Sequence, residues 1–542
     1  MAVNFVPTRL LDLSCDGLVS VISRKHLHLP TKYAALSYCW GEGNHTKLLK
    51  GNIETFKRGV GIETLPQTLK DTVQITKALG LQYLWIDALC IIQDDREDWL
   101  REAPLMHGVY LGCYLNISAT ASADTSQGLF RTRPRWWCTP GFTYLGDDPH
   151  GIMFSSSRWN PVRHGPLNGR AWTLQERILS PRILHFCETE IFWECHSLRA
   201  SESSPRGIFQ NWTNAERFFD VTSFNSPRNL DDWLELVKNY ADRKLTIPED
   251  RLMALSSVAR LFMDNCGLKE DDYIVGIWRP HFSRNLLWFR PAPDATPWST
   301  ASPIPSWSWA SSSGGAAPIG TDLLGLLARE SYISLDLFKL LAIERKRNEN
   351  PFGPTPFASL RLHCFLLPFE VHLAKTQSQQ SIDIGRYQRT GSCRIPHDTT
   401  IFIGQTKAKG FPDRPWKADS VYYFVPISLC CINYPWQRQL DIALEGLVLE
   451  QVDAERALFV RAGVAQISER NYNYSDLEHI LAELKIIDGS GMPERKDHEE
   501  ILSTANLEPY RRSKEYFTSP VFTLTSGRVE GELQRKIDVS TQ

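Results

Sequence analysis

Nowhere in this sequence do about 18 apolar residues run together without interruption, the length a membrane-spanning helix requires, so no membrane span is expected. Excess charge of one sign is missing as well: 60 Lys and Arg stand against 62 Asp and Glu, a formal net charge of −2. A global basic field that would hold nucleic acid or an anionic membrane is thereby excluded, and no nucleic-acid partner is expected. Residues 1–17 lack a basic stretch followed by an apolar one, so no secretory signal is read and a cytoplasmic location is expected. The twelve Cys stand singly apart from the adjacent Cys430 and Cys431. In a large chain without a signal they read as reduced, mostly buried thiols rather than a disulfide framework. A Walker A sequence and an internal repeat are both absent, and Ser37 lacks a nucleophile-elbow context.

What is present is ordinary globular material. The 542 residues are 42% hydrophobic and 23% charged, with 17 Trp. That is enough to build cores, and the length suggests about three units. Through residue 182 strand-like and helix-like pieces alternate, which is the pattern of an α/β layer structure. Residues 33–40 form a short apolar run closed by a Gly41-Glu-Gly43 turn. At 64–67, Thr64 suits an N-cap, Pro66 the first turn and Gln67 a capping box; Leu69 and Val73 follow at helical spacing, and Gly80 suits a C-terminal cap. The continuous apolar run 83–92 predicts a parallel strand buried on both faces. A helix carrying Trp99, Glu102, Met106 and Tyr110 comes next, with Pro104 expected to kink it or start a second one. Residues 114–121 read as another strand.

Residues 183–290 are expected to be more helical, with amphipathic stretches at 231–240 and 250–262. Residues 291–356 are Pro-, Ser- and Gly-containing and read as a linker or extended wrap. Residues 357–490 are expected to form a β-rich domain with strands at 360–367, 421–429, 447–450 and 457–464, plus a capped helix at 475–485. A charged tail occupies 491–542.

Three blocks carry a family resemblance. The first is Tyr33-x-Ala-Leu-Ser-Tyr-Cys-Trp-Gly41. The second is Leu84-Trp-Ile-Asp-Ala-Leu-Cys-Ile-Ile-Gln-Asp-Asp95, continuing through Trp99, Glu102, Met106 and Tyr110. The third is Arg170-Ala-Trp-Thr-Leu-Gln-Glu-Arg-Ile-Leu-Ser-Pro-Arg182. Together they resemble the fungal heterokaryon incompatibility (HET) domain, here residues 1–182 with a core at 33–182. The resemblance implies an allorecognition effector that triggers programmed cell death through self-association and an unknown incompatibility partner protein. The HET family is in turn distantly similar to the TIR fold, a flavodoxin-like parallel sheet with flanking helices. Some TIR domains cleave NAD at the nicotinamide–ribose bond with a Glu in a Trp-x-x-Glu context. On that analogy Trp99-Leu-Arg-Glu102 makes Glu102 the catalytic candidate and NAD the substrate, with no bound cofactor.

The residues add their own argument. A carboxylate suits an oxocarbenium-like transition state, and ligands of open α/β sheets sit beyond the carboxyl ends of strands. Ser37, Tyr38, Trp40 and Gly41 follow one such end and Asp87, Gln93 and Asp94 another, so they are candidate lining beside Glu102. Glu102 also reads as an ordinary solvated helix residue. Arg170, Gln175 and Glu176 cluster around Trp172, either as a phosphate site through Arg170 or as a buried network that locks packing. His185, Cys187, Cys195 and His196 match no standard zinc spacing, so hairpin packing is expected there and no metal. Trp307 and Trp309 read as packing residues. A non-catalytic interaction module is the competing function.

Overall fold

Residues 33–36 are Tyr, Ala, Ala and Leu, all essentially inaccessible, which only a strand covered on both faces allows. That strand, β3 (Tyr33–Ser37), is the middle of a nine-stranded sheet. The computed structural model describes residues 5–27, 30–42, 46–133, 141–143, 152–154, 161–195, 197–207, 230–280, 282–289, 304–312, 317–318, 332–346, 350–355, 357–364, 367–371, 399–403, 406–412, 422–434, 439–453, 458–468 and 521–524. The chain divides into two units, the first being Met1–Ser226, Arg243–Thr246 and Ala254–Cys266 and the second the remainder.

The first unit's sheet is built from β1 (Arg9–Asp12), β2 (Leu18–Ser23), β3, β4 (Val60–Gly61), β5 (Tyr83–Trp85), β6 (Leu115–Ser118), β9 (Arg182–Phe186), β10 (Ile191–Cys195) and β11 (Arg199–Ser201). A separate hairpin pairs β7 (Gly141–Thr143) with β8 (Ile152–Phe154). The spatial order is β11-β10-β9-β6-β3-β5-β1-β2-β4. Its centre, β5-β3-β6-β9, is parallel throughout, and antiparallel strands extend both flanks. In chain order the parallel strands run 2-1-3-4. This is the doubly wound, flavodoxin-like arrangement, and its direction of winding reverses between β3 and β6.

The crossovers are helical: α1 (Ile53–Arg58) and α2 (Gln67–Ala78) precede β5; α3 (Asp87–Cys90), α4 (Arg96–Glu102) and α5 (Met106–Gly112) precede β6; α6 (Pro161–His164) and α7 (Trp172–Leu179) precede β9. Right-handed crossovers put α2 on one face and α5 and α7 on the other. The core beneath them is one apolar cluster in which Trp85 meets Tyr110 edge to face at 5.7 Å. Each such large side chain contributes roughly 1.5–3 kcal/mol by leaving water.

Several elements differ from the sequence expectation for local reasons. The run 83–92 is not one strand: β5 stops at Trp85, and Asp87 accepts the Ala88 N–H at 2.7 Å to open the turn α3. Thr64 is no N-cap; its hydroxyl donates to the Gly61 carbonyl at 2.7 Å, and α2 starts at Gln67 after Pro66. Gly80 (φ +72) does follow the end of α2 in the left-handed conformation. Pro104 divides the expected helix into α4, the 3-10 turn Ala103–Leu105 and α5. Strand pairing continues past 182 through β9, β10 and β11 before the chain turns helical.

Gly41 sits at φ +78, and a Cβ there would lie 2.4 Å from Asp124 Cβ. Both the backbone and the neighbouring segment thus demand glycine. Gly41→Ala is expected to cost roughly 1–3 kcal/mol or more of stability in chemical denaturation; an unchanged midpoint would refute this.

In the second unit, α8 (Leu230–Ala241) carries the apolar stripe expected at 231–240, with Trp233 and Tyr240 fully buried. The stretch from 250 to 262 is two 3-10 turns, Pro248–Arg251 and Met253–Leu255, followed by α9 (Ser256–Cys266), which belongs to the first unit. Trp307 and Trp309 are buried, and Trp309 Nε1 donates to the Gly276 carbonyl at 2.8 Å. The β-rich part is a ten-stranded sheet. Its longest strands, Tyr422–Tyr434, Gln439–Asp453 and Leu458–Ser468, run well past the expected limits. Pro426 is accommodated at a register shift rather than ending its strand. The helix expected at 475–485, the tail from 491 (apart from a strand at Val521–Leu524) and residues 291–303 lie outside the described residues. Among the described residues no helix is long and apolar enough to cross a membrane.

Candidate functional site

Strand β6 alternates Leu115, Asn116, Ile117 and Ser118, and Thr120 follows in phase, so one face of a core strand is polar. Buried polar groups of this kind are costly unless paired. Asn116 Nδ2 donates to Ser37 Oγ on β3 (3.1 Å) and to Ser180 Oγ (3.0 Å). Ser118 Oγ and Thr120 Oγ1 are 2.9 Å apart, and Thr120 Oγ1 lies 3.2 Å from His185 Nδ1 on β9. His185 Nε2 lies 3.0 Å from Glu194 Oε2 on β10, which also accepts from Arg177 Nε of α7 at 2.8 Å. Ser37, Asn116, Ser118, Thr120, Thr173, Arg177 and His185 line a cavity of about 20 Å³ between this face and the α6–α7 segment. It is large enough for one water molecule and too small for a ribose. Its position is the β3–β6 reversal, where doubly wound sheets bind ligands.

A second cluster adjoins it through Ser37, which hydrogen-bonds Glu176 of α7, as does Tyr110. Burial pushes the Glu176 carboxyl up to about 7, against the Ser37 bond and the Arg170 guanidinium, with the Asp87 charge adding to the rise. Its Oε2 and the Asn116 Oδ1 are buried without a hydrogen-bond partner among the described residues. Asp87 is raised by burial too, against Arg170 and bonds from Trp40 and Tyr38. Trp40 Nε1 donates to Asp87 Oδ2 at 2.9 Å, and Arg170 donates to the Tyr38 carbonyl. Two carboxyls, one guanidinium and two phenols therefore share one largely buried cluster, with one carboxyl poised to titrate near neutrality.

Residues 33–176, about a quarter of the chain, match the family model described as Heterokaryon incompatibility protein (HET). The chain carries a HET domain. No curated protein matches the chain, and neither does any solved structure.

The HET segment brings Ser37, Tyr38, Trp40, Asp87, Arg170 and Glu176 together, and Gly41 adjoins them in sequence. Gln93 braces the loop after α3, donating to the Asp87 and Ile91 carbonyls at 3.1 and 3.0 Å. Asp94 is exposed and accepts the Lys50 N–H at 2.9 Å. Gln175 is buried and accepts the Ser257 N–H of α9 at 3.3 Å, while Trp172 is half-buried at the start of α7. Gly43 lies outside the described residues.

Glu102 stands apart from this cluster. It is 93% buried, not solvated, and lies 3.6 Å from Arg9, which also pairs with Asp98. Arg9 Nε donates to the Cys90 carbonyl at 2.7 Å, so this ion cluster ties β1 to α3 and α4. Burial raises the Glu102 carboxyl, against a Thr8 hydrogen bond and the Arg9 charge; neither Glu102 nor Glu176 lines the cavity, and Glu176 adjoins it through its bond to Ser37.

Asn116, Ser118, Thr120 and Glu194 carry no motif that marks them as a site in the sequence, and His185 stands out there only as part of a non-standard zinc spacing. The available signal was the two-residue polar period inside an otherwise apolar strand. His185 is engaged by Thr120 and Glu194, and His196 lies outside the described residues. Among the described residues no group of three or more His, Cys, Asp or Glu could hold a metal ion. Cys39 and Cys90 are buried, and burial raises both thiols.

Glu176 also sets a pH dependence of stability. Its folded value of about 7 exceeds the ordinary 4.5, so the folded chain binds this proton more tightly than the unfolded chain. The resulting stabilisation is complete below about pH 4.5 and is lost as pH rises through 7, on the order of 3 kcal/mol in all. In Glu176→Gln that loss disappears. Urea midpoints at about pH 5 and pH 8 should show the variant gaining on wild type at the higher pH; a constant difference would contradict the assignment.

Proposed function

We propose that this chain is a heterokaryon incompatibility effector whose HET segment hydrolyses the nicotinamide–ribose bond of NAD, with Glu176 rather than Glu102 as the reactive carboxylate. The observation that carries this reading is the buried Glu176 carboxyl at the sheet's switch point, whose Oε2 has no hydrogen-bond partner among the described residues. When the bond between ribose C1′ and the pyridinium nitrogen breaks, its electron pair neutralises that nitrogen, so nicotinamide leaves without an acid. Positive charge then develops on the ribose, where an ionised Glu176 would stabilise it. Water adds to C1′ and gives ADP-ribose and a proton. Glu102 is instead held 3.6 Å from Arg9 in the ion cluster with Asp98.

The cavity as it stands admits a water but not a ribose, so activity requires the α6–α7 segment to move outward. We assign that opening to self-association of the effector, which would couple recognition to cell death. The same small volume supports a second reading, in which the HET segment only recruits partner proteins. Concentrated full-length protein incubated with NAD separates the two. Nicotinamide release that increases more than proportionally with protein concentration supports the hydrolase; none at any concentration supports the scaffold.

A further inference from the structure

Outside the carboxylate cluster the cavity wall carries a hydroxyl and an imidazole, and a carboxylate behind the imidazole continues the series. Hydrogen-bond bookkeeping fixes the direction of that series. Burial pushes Glu194 up, but Arg177 and His185 outweigh it and hold the carboxyl well below the usual range, so it is ionised and accepts only. His185 is held below its ordinary value by burial, against the Glu194 bond, and is neutral. Its Nε2 must then carry the proton shared with Glu194, which leaves Nδ1 as an acceptor. Thr120 Oγ1, 3.2 Å away, donates to it, with the Ser118 carbonyl at 3.4 Å as a longer second acceptor. Ser118 Oγ, 2.9 Å from Thr120 Oγ1, donates to that oxygen, and both side chains line the cavity. Asn116, 1% exposed and also in that wall, has an Oδ1 with no partner among the described residues.

A cavity of one-water size, bordered by an unused amide oxygen and a hydroxyl whose proton is already drawn toward a base, is built for a reacting water. We infer that the cavity holds the hydrolytic water between Asn116 Oδ1 and Thr120 Oγ1, and that Thr120, His185 and Glu194 relay its proton away. This rests on the N-glycosidase reading of the neighbouring Glu176. As the water oxygen bonds to ribose C1′, its O–H bond breaks and the proton passes to Thr120 Oγ1. The Thr120 proton moves to His185 Nδ1. The imidazolium so formed is balanced by Glu194 and later releases its proton to solvent. Thr120 is the catalytic residue here, His185 the base acting through it, and Glu194 the positioning residue.

A competing acceptor that needs no deprotonation isolates this step. Full-length protein is incubated with NAD and 3-acetylpyridine, and ADP-ribose is measured against the exchanged dinucleotide. A base needs no relay to attack C1′, whereas water does. His185→Gln and Thr120→Val are expected to lower the ratio of hydrolysis to exchange about 100-fold. Thr120→Ser, which keeps the hydroxyl, should restore it. A role in packing alone would lower both products together. An unchanged ratio in variants that melt with the wild type overturns the relay and leaves the Glu176 reading standing. Neither product from wild type overturns both.

Discussion

Glu176→Gln is expected to lower nicotinamide release about 100- to 1,000-fold, the scale of losing one preorganised group that faces developing charge. The amide keeps the shape of the side chain and its bonds to Ser37 and Tyr110, and it removes a titration that weakens the fold above neutrality. A loss of activity in a variant at least as stable as wild type at pH 8 cannot then be put down to unfolding. The parallel variant Glu102→Gln should keep turnover close to wild type, since that carboxyl is committed to Arg9 and Thr8. The reverse outcome, with Glu102→Gln inactive and Glu176→Gln active, would return the chemistry to α4.

Arg9→Met is expected to destabilise the protein by about 3–5 kcal/mol, the usual cost of leaving buried charge without its partner. Arg9 is the cation between Asp98 and Glu102, both buried, and its Nε holds the Cys90 carbonyl at the end of α3. Asp98 keeps Arg101 at 3.2 Å and the Ile92 N–H at 2.9 Å, but Arg101 is largely exposed and replaces little of the lost attraction. Urea denaturation at neutral pH measures the difference. The deficit should shrink as pH falls, because protonating Glu102 removes one of the stranded charges; a deficit under about 1 kcal/mol would place the cluster among surface ion pairs.

The layered α/β organisation was legible because it is written in local pattern. The apolar run before Gly41, the spacing of Leu69 and Val73, and Gly80 after α2 each depend on a few neighbouring residues. The apolar run after Leu84 is shorter as a strand than its pattern predicts because composition does not separate a buried strand from a buried helical turn, and Asp87 opens α3 by accepting the Ala88 N–H. The expected strand 421–429 passes through Pro426 but stops short of Tyr434, and the one at 447–450 begins only after Gly446, which looks like a break until a paired strand absorbs it.

The site was legible in its membership more than in its roles. Ser37, Asp87, Arg170 and Glu176 all stood in the three blocks. What distinguishes Glu176 from Glu102 is distant in sequence: Arg9, which pairs with α4, stands on β1 far upstream of it, and Ser37 is on a strand far upstream of α7. The series from Thr120 through His185 to Glu194 joins the segment after β6 to β9 and β10, and no local pattern records such a pairing.

The pH dependence of nicotinamide release by wild-type protein tests the central claim most directly. With Glu176 required as the carboxylate and protonated below about 7, log kcat/KM should climb with unit slope from about pH 5 and level off near that value. A profile flat across that range, or one breaking at the ordinary carboxylate value near 4.5, would contradict it.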